Sequence, residues 1–520
     1  MYDVIIKNGL VFDGLGNKPQ AIDVAIKNSQ IVGLGDFQKQ KAKLEIDANK
    51  KFVSPGFIEI NTLADRDCSV IRYPQAANFI VQGVTTVIGG ASGASLAPIV
   101  SGSIDYLEKW VDSSKININW RSVAEFLEYL TQKQLGVNFG MLVSWAILRN
   151  DFTHREFRLL SREEKEKLKF LIKQSLLDGA LGVAFGLGYE EEQVVSVEEI
   201  LEIADVVKEH NGYLGFGLRN EAENFIASVQ EVGEVATKGA IPVEIYQLKT
   251  LGEQNHLNFS EGLKIINEVN QDKELLNFDI SPYNVASSPL LTLLPDWAAV
   301  GGRKVFLRNI QDEALKKKII QDLKQKKYNY HNLIIAESQS IPWFIGKTLD
   351  QLASDFGLKE EEVILKILEI GGANIKVINQ SVSEENTKEG FMSEYSLISS
   401  GAGFYEINDS YTHLSPPQAF GAFPRFLGEY VREKKIYSWE QAIYKLTGKP
   451  AFKIGLKNRG LIKKGYQADL VVFDPDKIEG RATFRNPWQL PVGIETVLIN
   501  GVVALGKGRL NTIRAGEIVK

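Results

Sequence analysis

The sequence predicts an α/β protein: a (β/α)8 barrel of the TIM type, plus a small β-sandwich assembled from both ends of the chain. Three observations lead there. The first fifty-odd residues alternate like half-buried strands, the same texture returns at the far end, and between them eight short apolar segments alternate with amphipathic helical text. At 520 residues the chain has room for several domains of about 150 residues each.

At the start, Val4, Ile6 and Asn8 are phased against Asp3, Ile5 and Lys7, and the runs 23–28 and 30–35 follow between Gly and Asn turns. At the end, 468–474 and 496–505 are strand signals, with Asn500-Gly501 as a hairpin turn. Residues 1–55 and 450–520 are therefore expected to pair into one composite sandwich. The barrel, 56–449, takes its strands from 57–61, 83–89, 138–145, 179–186, 213–219, 242–249, 276–283 and 395–400. In such a barrel the chemistry sits at the C-terminal strand ends. The seventh and eighth strands are separated by about 110 residues, too long for a connection, so a helix-rich insertion is expected at about 285–392.

Composition narrows the function. With 60 Lys and Arg against 65 Asp and Glu, the charge of −5 is spread evenly and leaves no nucleic-acid footprint. No run of 18 apolar residues occurs, and Met1 to Gly9 is patterned as a strand and not as a leader, so a cytoplasmic protein without membrane contact is expected. Five His and one Cys exclude a disulfide within the chain. A metal centre of imidazole and thiolate would use nearly the whole stock.

Several stretches are distinctive: Asp3-Val-Ile-Ile-Lys-Asn-Gly, Val53-Ser-Pro-Gly-Phe-Ile-Glu, Gly93-Ala-Ser-Leu-Ala-Pro, Phe423-Pro-Arg-Phe-Leu-Gly and Ala468-Asp-Leu-Val-Val-Phe-Asp-Pro. On these the chain resembles, nearly end to end, the N-acyl-D-amino-acid deacylases (D-aminoacylases) of the amidohydrolase superfamily. The resemblance implies a metallo-dependent hydrolase barrel in which Zn²⁺ polarises an amide carbonyl and activates water while a carboxylate moves the proton.

At the positions where the resemblance would place that machinery, the text differs. The implied His-x-His of the first strand is Asn61-Thr62-Leu63, and the thiolate position is Ala91 or Ser92. The third strand ends at Trp145, the fifth reads Gly217-Leu218-Arg219-Asn220-Glu221, and the sixth reads Gln247-Leu248-Lys249. The catalytic Asp of the eighth faces Ser400-Gly401-Ala402-Gly403. With the zinc ligands replaced by Asn61, Leu63, Ser92, Gly217 and Gln247, the expectation is no cofactor, no catalytic residue and a pseudoenzyme without metal-dependent deacylase activity. Leu63, Trp145 and Leu248 suggest hydrophobic filling of the mouth.

The substrate pocket implied by the resemblance survives in part, at Lys249 and Ser287, with Arg219 as a guanidinium fork. Ser281 and Gln418 stand where a Tyr and an Arg are implied. A small carboxylate is the expected ligand, unless Arg219 and Lys249 pair with Glu221, Asp279 or Glu59 as a structural network. Two alternatives stand beside this: a divergent hydrolase of C–N bonds with a relocated metal site drawn from Asp65, Cys68 and His413, and a structural or regulatory subunit. Oligomeric state is not legible.

Overall fold

Alternating apolar residues commit the N-terminal segment to strands with one face inward. The computed structural model describes residues 1–100, 117–154, 156, 158–189, 192–299, 302–326, 328–338, 340–372, 375–407 and 414–520. Strands β1 (Tyr2–Lys7), β2 (Leu10–Val11), β3 (Gln20–Ala21), β4 (Asp23–Lys27), β5 (Gln30–Gly35), β6 (Ala42–Asp47) and β7 (Phe52–Pro55) come first. One sheet runs β5-β4-β1-β6, with Val4 opposite Ile26 and Ile6 opposite Val24.

The barrel follows as β8 (Phe57–Glu59), β9 (Val84–Gly89), β10 (Asn138–Met141), β11 (Val143–Ser144), β12 (Gly182–Gly186), β13 (Tyr213–Gly217), β14 (Val243–Ile245) and β15 (Leu276–Ile280). Each pairs in parallel with its neighbour. The pair β10 and β11 is one strand interrupted at Leu142, whose N–H donates to Gly89 O at 2.9 Å. Every one of the eight segments expected from the sequence carries a barrel strand.

Between β15 and the last barrel strand lies the insertion. It is more than helices: β16 (Ala286–Pro289), β17 (Leu333–Ser338) and β18 (Ile375–Asn379) form an antiparallel sheet ordered β16-β18-β17. Helices such as Glu313–Lys326 and Glu360–Gly371 cover it, and Ile319, Leu323, Ile335, Ile364, Leu368 and Val377 share its separate core. The eighth barrel strand, β19 (Ser396–Ile398), pairs with β15. The barrel closes just beyond, where Leu63 N–H donates to Ala402 O at 3.0 Å and Thr62 Oγ1 to the same oxygen at 2.7 Å.

Finally β20 (Leu470–Phe473), β21 (Ile494–Ile499), β22 (Val502–Gly506) and β23 (Arg509–Leu510) complete a second sheet, ordered β23-β22-β21-β20-β7-β2-β3. Asn500 (φ 49°) and Gly501 (φ 77°) form the hairpin turn read from the sequence. Val4, Ile6, Val24 and Ile26 of the first sheet bury against Val53, Leu470, Val472 and Leu498 of the second. Below the barrel the chain's last residues add to it. Phe139 N–H donates to Glu517 O, Val519 N–H donates to Phe139 O, both at 2.9 Å, and Val519 packs with Ile454 and Leu456 under the inward side chains. Among the described residues no helix is long and apolar enough to cross a membrane.

The alternation of the strands separates two layers. Val183, Phe185, Leu214 and Phe216 face the surrounding helices, while Ala184, Tyr213 and Tyr246 face the axis. Gly215 shows why small residues line that interior: a Cβ there would stand 2.0 Å from Tyr246 Oη.

Candidate functional site

The C-terminal ends of β8, β14, β15 and β19 bring together six polar residues, all of them buried except Gln247, which is partly so. Asp279, inside the apolar run of β15, is the hub. Asn61 Nδ2 donates to its two oxygens at 3.3 and 3.2 Å, Gln247 Nε2 donates to Oδ1 at 2.8 Å, and Ser399 Oγ donates to Oδ1 as well. Gln247 also reaches Ser399 Oγ at 2.6 Å, from a backbone with φ 49°, the left-handed region that non-glycine residues seldom occupy. Beside this hub, Glu59 accepts from Ser400 N–H at 2.7 Å, Ser400 Oγ at 2.5 Å and Asn61 N–H at 3.0 Å.

Burial governs the charge of these acids. It pushes Glu59 up to about 8, against the lowering effect of Ser400, and the Asp279 carboxylate adds to the rise. Asp279 is itself raised, burial outweighing its three side-chain donors. Asp65, buried after β8, is pushed up to about 7 by burial. Deeper in the axis Glu244 is raised to about 8 by burial, with Lys453 Nζ at 3.4 Å pulling it down.

These acids bind protons in the folded chain at pH values where the unfolded chain has released them. Their contribution is complete below the ordinary values of 4.5 for Glu and 3.8 for Asp and is lost as pH rises towards 7 to 8. Stability is therefore expected to fall between pH 5 and 8.5, by on the order of several kcal/mol in total. Urea unfolding midpoints across that range check this, and Glu59→Gln is expected to flatten the slope.

The residues expected to hold a carboxylate are placed apart. Lys249 Nζ lies 2.6 Å from Glu221 Oε1 and 3.2 Å from Gln247 O. Arg219 gives its fork to Glu231, with Nε at 3.0 Å and Nη2 at 2.6 Å, and donates to the carbonyls of Gln193 and Val195. Its partner is thus a helix residue not foreseen. Ser287 lies exposed on β16 in the insertion, opposite Ile378.

The hydrophobic filling reads differently in the structure. Trp145 stacks on Phe185 at 5.9 Å, and both it and Leu248 belong to the layer between strands and helices, so neither fills the mouth. Leu63 is half-buried at the barrel seam, Gly217 ends β13 opposite Gly186, and Ser92 falls in the turn Ala91–Gly93. Cys68 is buried, and burial pushes its thiol far up, which makes it a poor thiolate donor. His413 lies outside the described residues. Of the other histidines, His154 and His210 cap helix ends and His331 pairs with Asp350 at 3.1 Å. Ser399 and the axial set of Glu244, Lys453, Tyr213 and Tyr246 were not foreseen. A carboxylate within an apolar strand, as in Val243-Glu244-Ile245, was the available signal.

An eight-stranded parallel barrel with a flanking β-sandwich and polar strand ends defines the amidohydrolase architecture. A model of the amidohydrolase family matches residues 409–505. The D-aminoacylase of Alcaligenes xylosoxydans xylosoxydans is 26% identical over 518 residues, 100% of this chain and 97% of its own. Among solved structures, a D-aminoacylase with a binuclear metal centre superposes with a TM-score of 0.84 at 26% identity, covering 100% of both chains. The zinc-bound N-acyl-D-glutamate deacylase of Bordetella bronchiseptica gives 0.83 at 24%, covering 100% of this chain and 99% of that one. Over its whole length the chain thus resembles the D-aminoacylases and N-acyl-D-amino-acid deacylases of the amidohydrolase superfamily.

The expectation of no cofactor is corrected by these structures: the solved N-acyl-D-glutamate deacylase is complexed with zinc and the solved D-aminoacylase has a binuclear metal centre, which points to a metal cofactor for proteins of this fold. The side chains at the strand ends do not match the ligand set that the resemblance implies. Asn61 and Gln247 give their amide N–H groups to Asp279, and Leu63 and Gly217 carry no side-chain atom that could ligate a metal. Among the described residues no three of His, Cys, Asp and Glu gather as a metal-holding group.

Proposed function

We propose that this chain is a D-aminoacylase-like protein of the cytoplasm that does not deacylate N-acyl-D-amino acids, and that it serves as a non-catalytic, regulatory or structural member of the family. One observation carries this reading: most polar groups at the strand ends are bonded to one another, Asn61 Nδ2, Gln247 and Ser399 to Asp279 and Ser400 to Glu59, with Asn61 Oδ1 left over. Preorganised groups aimed at a reacting carbonyl are what catalysis requires, and here they are turned inward. Purified protein supplied with zinc and incubated with N-acetyl-D-glutamate, N-acetyl-D-aspartate or N-acetyl-D-leucine is expected to release no free amino acid above background. Enzymatic release that survives repurification would overturn the reading.

A second reading, a divergent hydrolase of amide C–N bonds, is favoured by Asp65. It is a buried carboxylate pushed up to about 7, in the range of a general base, and a Cβ on Gly89 at the end of β9 would stand 3.0 Å from its Oδ1. On that reading a broader amide panel shows turnover that Asp65→Asn abolishes.

A further inference from the structure

The barrel mouth leaves one part of the surface chemistry unused. A cavity of about 360 Å³ opens where the loop after β15, the end of the insertion at Gln380, the helix Gln418–Arg425 and the loop carrying Thr483, Phe484 and Arg485 meet. None of its lining residues belongs to the strand-end network. Among the described residues its only charged lining residues are Arg425 and Arg485.

The two guanidinium groups are held differently. Arg425 is ion-paired, its Nε lying 2.8 Å from Glu429 Oε2 without hydrogen-bond alignment, and its Cζ lies 4.5 Å from the centroid of the Tyr283 ring. That ring is buried and donates its own hydroxyl to Ala482 O at 3.0 Å, so the platform is rigid. Arg485 is exposed, and among the described residues no carboxylate or carbonyl engages it. With Glu429 balancing one charge, the cavity keeps a single net positive charge and a free planar fork that matches a carboxylate in two-point fashion. The Phe484 ring and Val285 supply an apolar wall beside it. The volume lies at the low end for small-molecule sites, about 300 to 1,000 Å³.

We propose that this cavity is a binding site for a small organic monoanion, a carboxylate bearing an apolar body, separate from the strand-end site and independent of whether that site is catalytic. Benzoate and inorganic phosphate serve as probes, titrated calorimetrically into the full chain. Benzoate is expected to bind saturably in the millimolar range and more tightly than phosphate. Arg485→Gln is expected to weaken it by about tenfold, as loss of a charged hydrogen-bond pair does, and Lys249→Ala to leave it unchanged. Arg485 is exposed, so its substitution leaves the fold intact, and an unchanged urea unfolding curve verifies this. Arg425→Gln gives a second, stronger loss. Absence of saturable benzoate binding, tighter binding of phosphate, binding that survives Arg485→Gln, or binding lost in Lys249→Ala would each overturn the proposal. Deacylase activity in the unmodified chain would bear on the function proposed above and leave these outcomes as they stand.

Discussion

Asp279→Ala is expected to destabilise the protein by about 3–5 kcal/mol, read as a fall in the urea midpoint at unchanged slope. The carboxylate accepts from Asn61, Gln247 and Ser399, and its removal leaves three buried donors without an acceptor. Each such orphan costs about 1–3 kcal/mol, partly relieved by local movement. The charge of Asp279 works the other way, since burial disfavours the ionised form. Asp279→Asn separates the two effects: it keeps the shape and one acceptor while removing the charge. It is expected to cost less than half as much as alanine, and equal losses in the two variants would show that charge and not hydrogen bonding holds the strand ends together.

Arg459→Ala is expected to cost a similar amount, about 3–5 kcal/mol, because it strands a buried partner. Arg459 Nη1 donates to Asp469 and to Asn500 Oδ1 at 2.8 Å, and Nη2 donates to Glu517 Oε2 at 2.9 Å. Asp469 is only 4% exposed and also accepts from Asn500 N–H at 2.8 Å and Asn138 Nδ2 at 3.0 Å. The cluster therefore spans the sandwich, the third barrel strand and the C-terminal tail. Arg459→Lys keeps the charge without the fork and is expected to recover about half of the loss. A second measurement localises the damage: carboxypeptidase should trim the tail faster in the alanine variant, since Glu517 has lost its anchor. An unaltered trimming rate would place the loss in the sandwich alone.

The barrel was legible because its signal is local. Apolar runs such as Leu276–Ile280 and amphipathic helices such as Val197–Glu209 carry their periodicity within a few residues. The sandwich was legible from its two ends, and its hairpin from Asn500-Gly501. The sheet of the insertion was not, because β17 and β18 lie among helices and pair across some forty residues of intervening chain.

At the candidate site, sequence reasoning located the changed strand ends but not their new partners. That Gln247 would reach both Asp279 and Ser399 depends on a left-handed backbone that glutamine does not announce. That Arg219 would choose Glu231 depends on how the helix Phe225–Gly239 docks. The cofactor expectation failed for another reason: it was drawn from the absence of His at particular positions, whereas the relatives show what the fold is used for.

The second sheet joins strands from opposite ends of the chain, β7 against β20, with Val53 opposite Val472. On a ribosome these partners are separated by roughly 400 residues of synthesis, about 20 to 80 seconds at ordinary elongation rates of about 5–20 residues per second. Throughout that interval the edge of β7 and the apolar faces of Val4, Ile6, Val24 and Ile26 lack their opposing layer. The nascent chain thus carries an open β-edge for most of its synthesis, the kind of edge that pairs with other chains unless it is shielded. Truncated products that stop before Leu470 should accumulate as aggregates and not as smaller folded proteins.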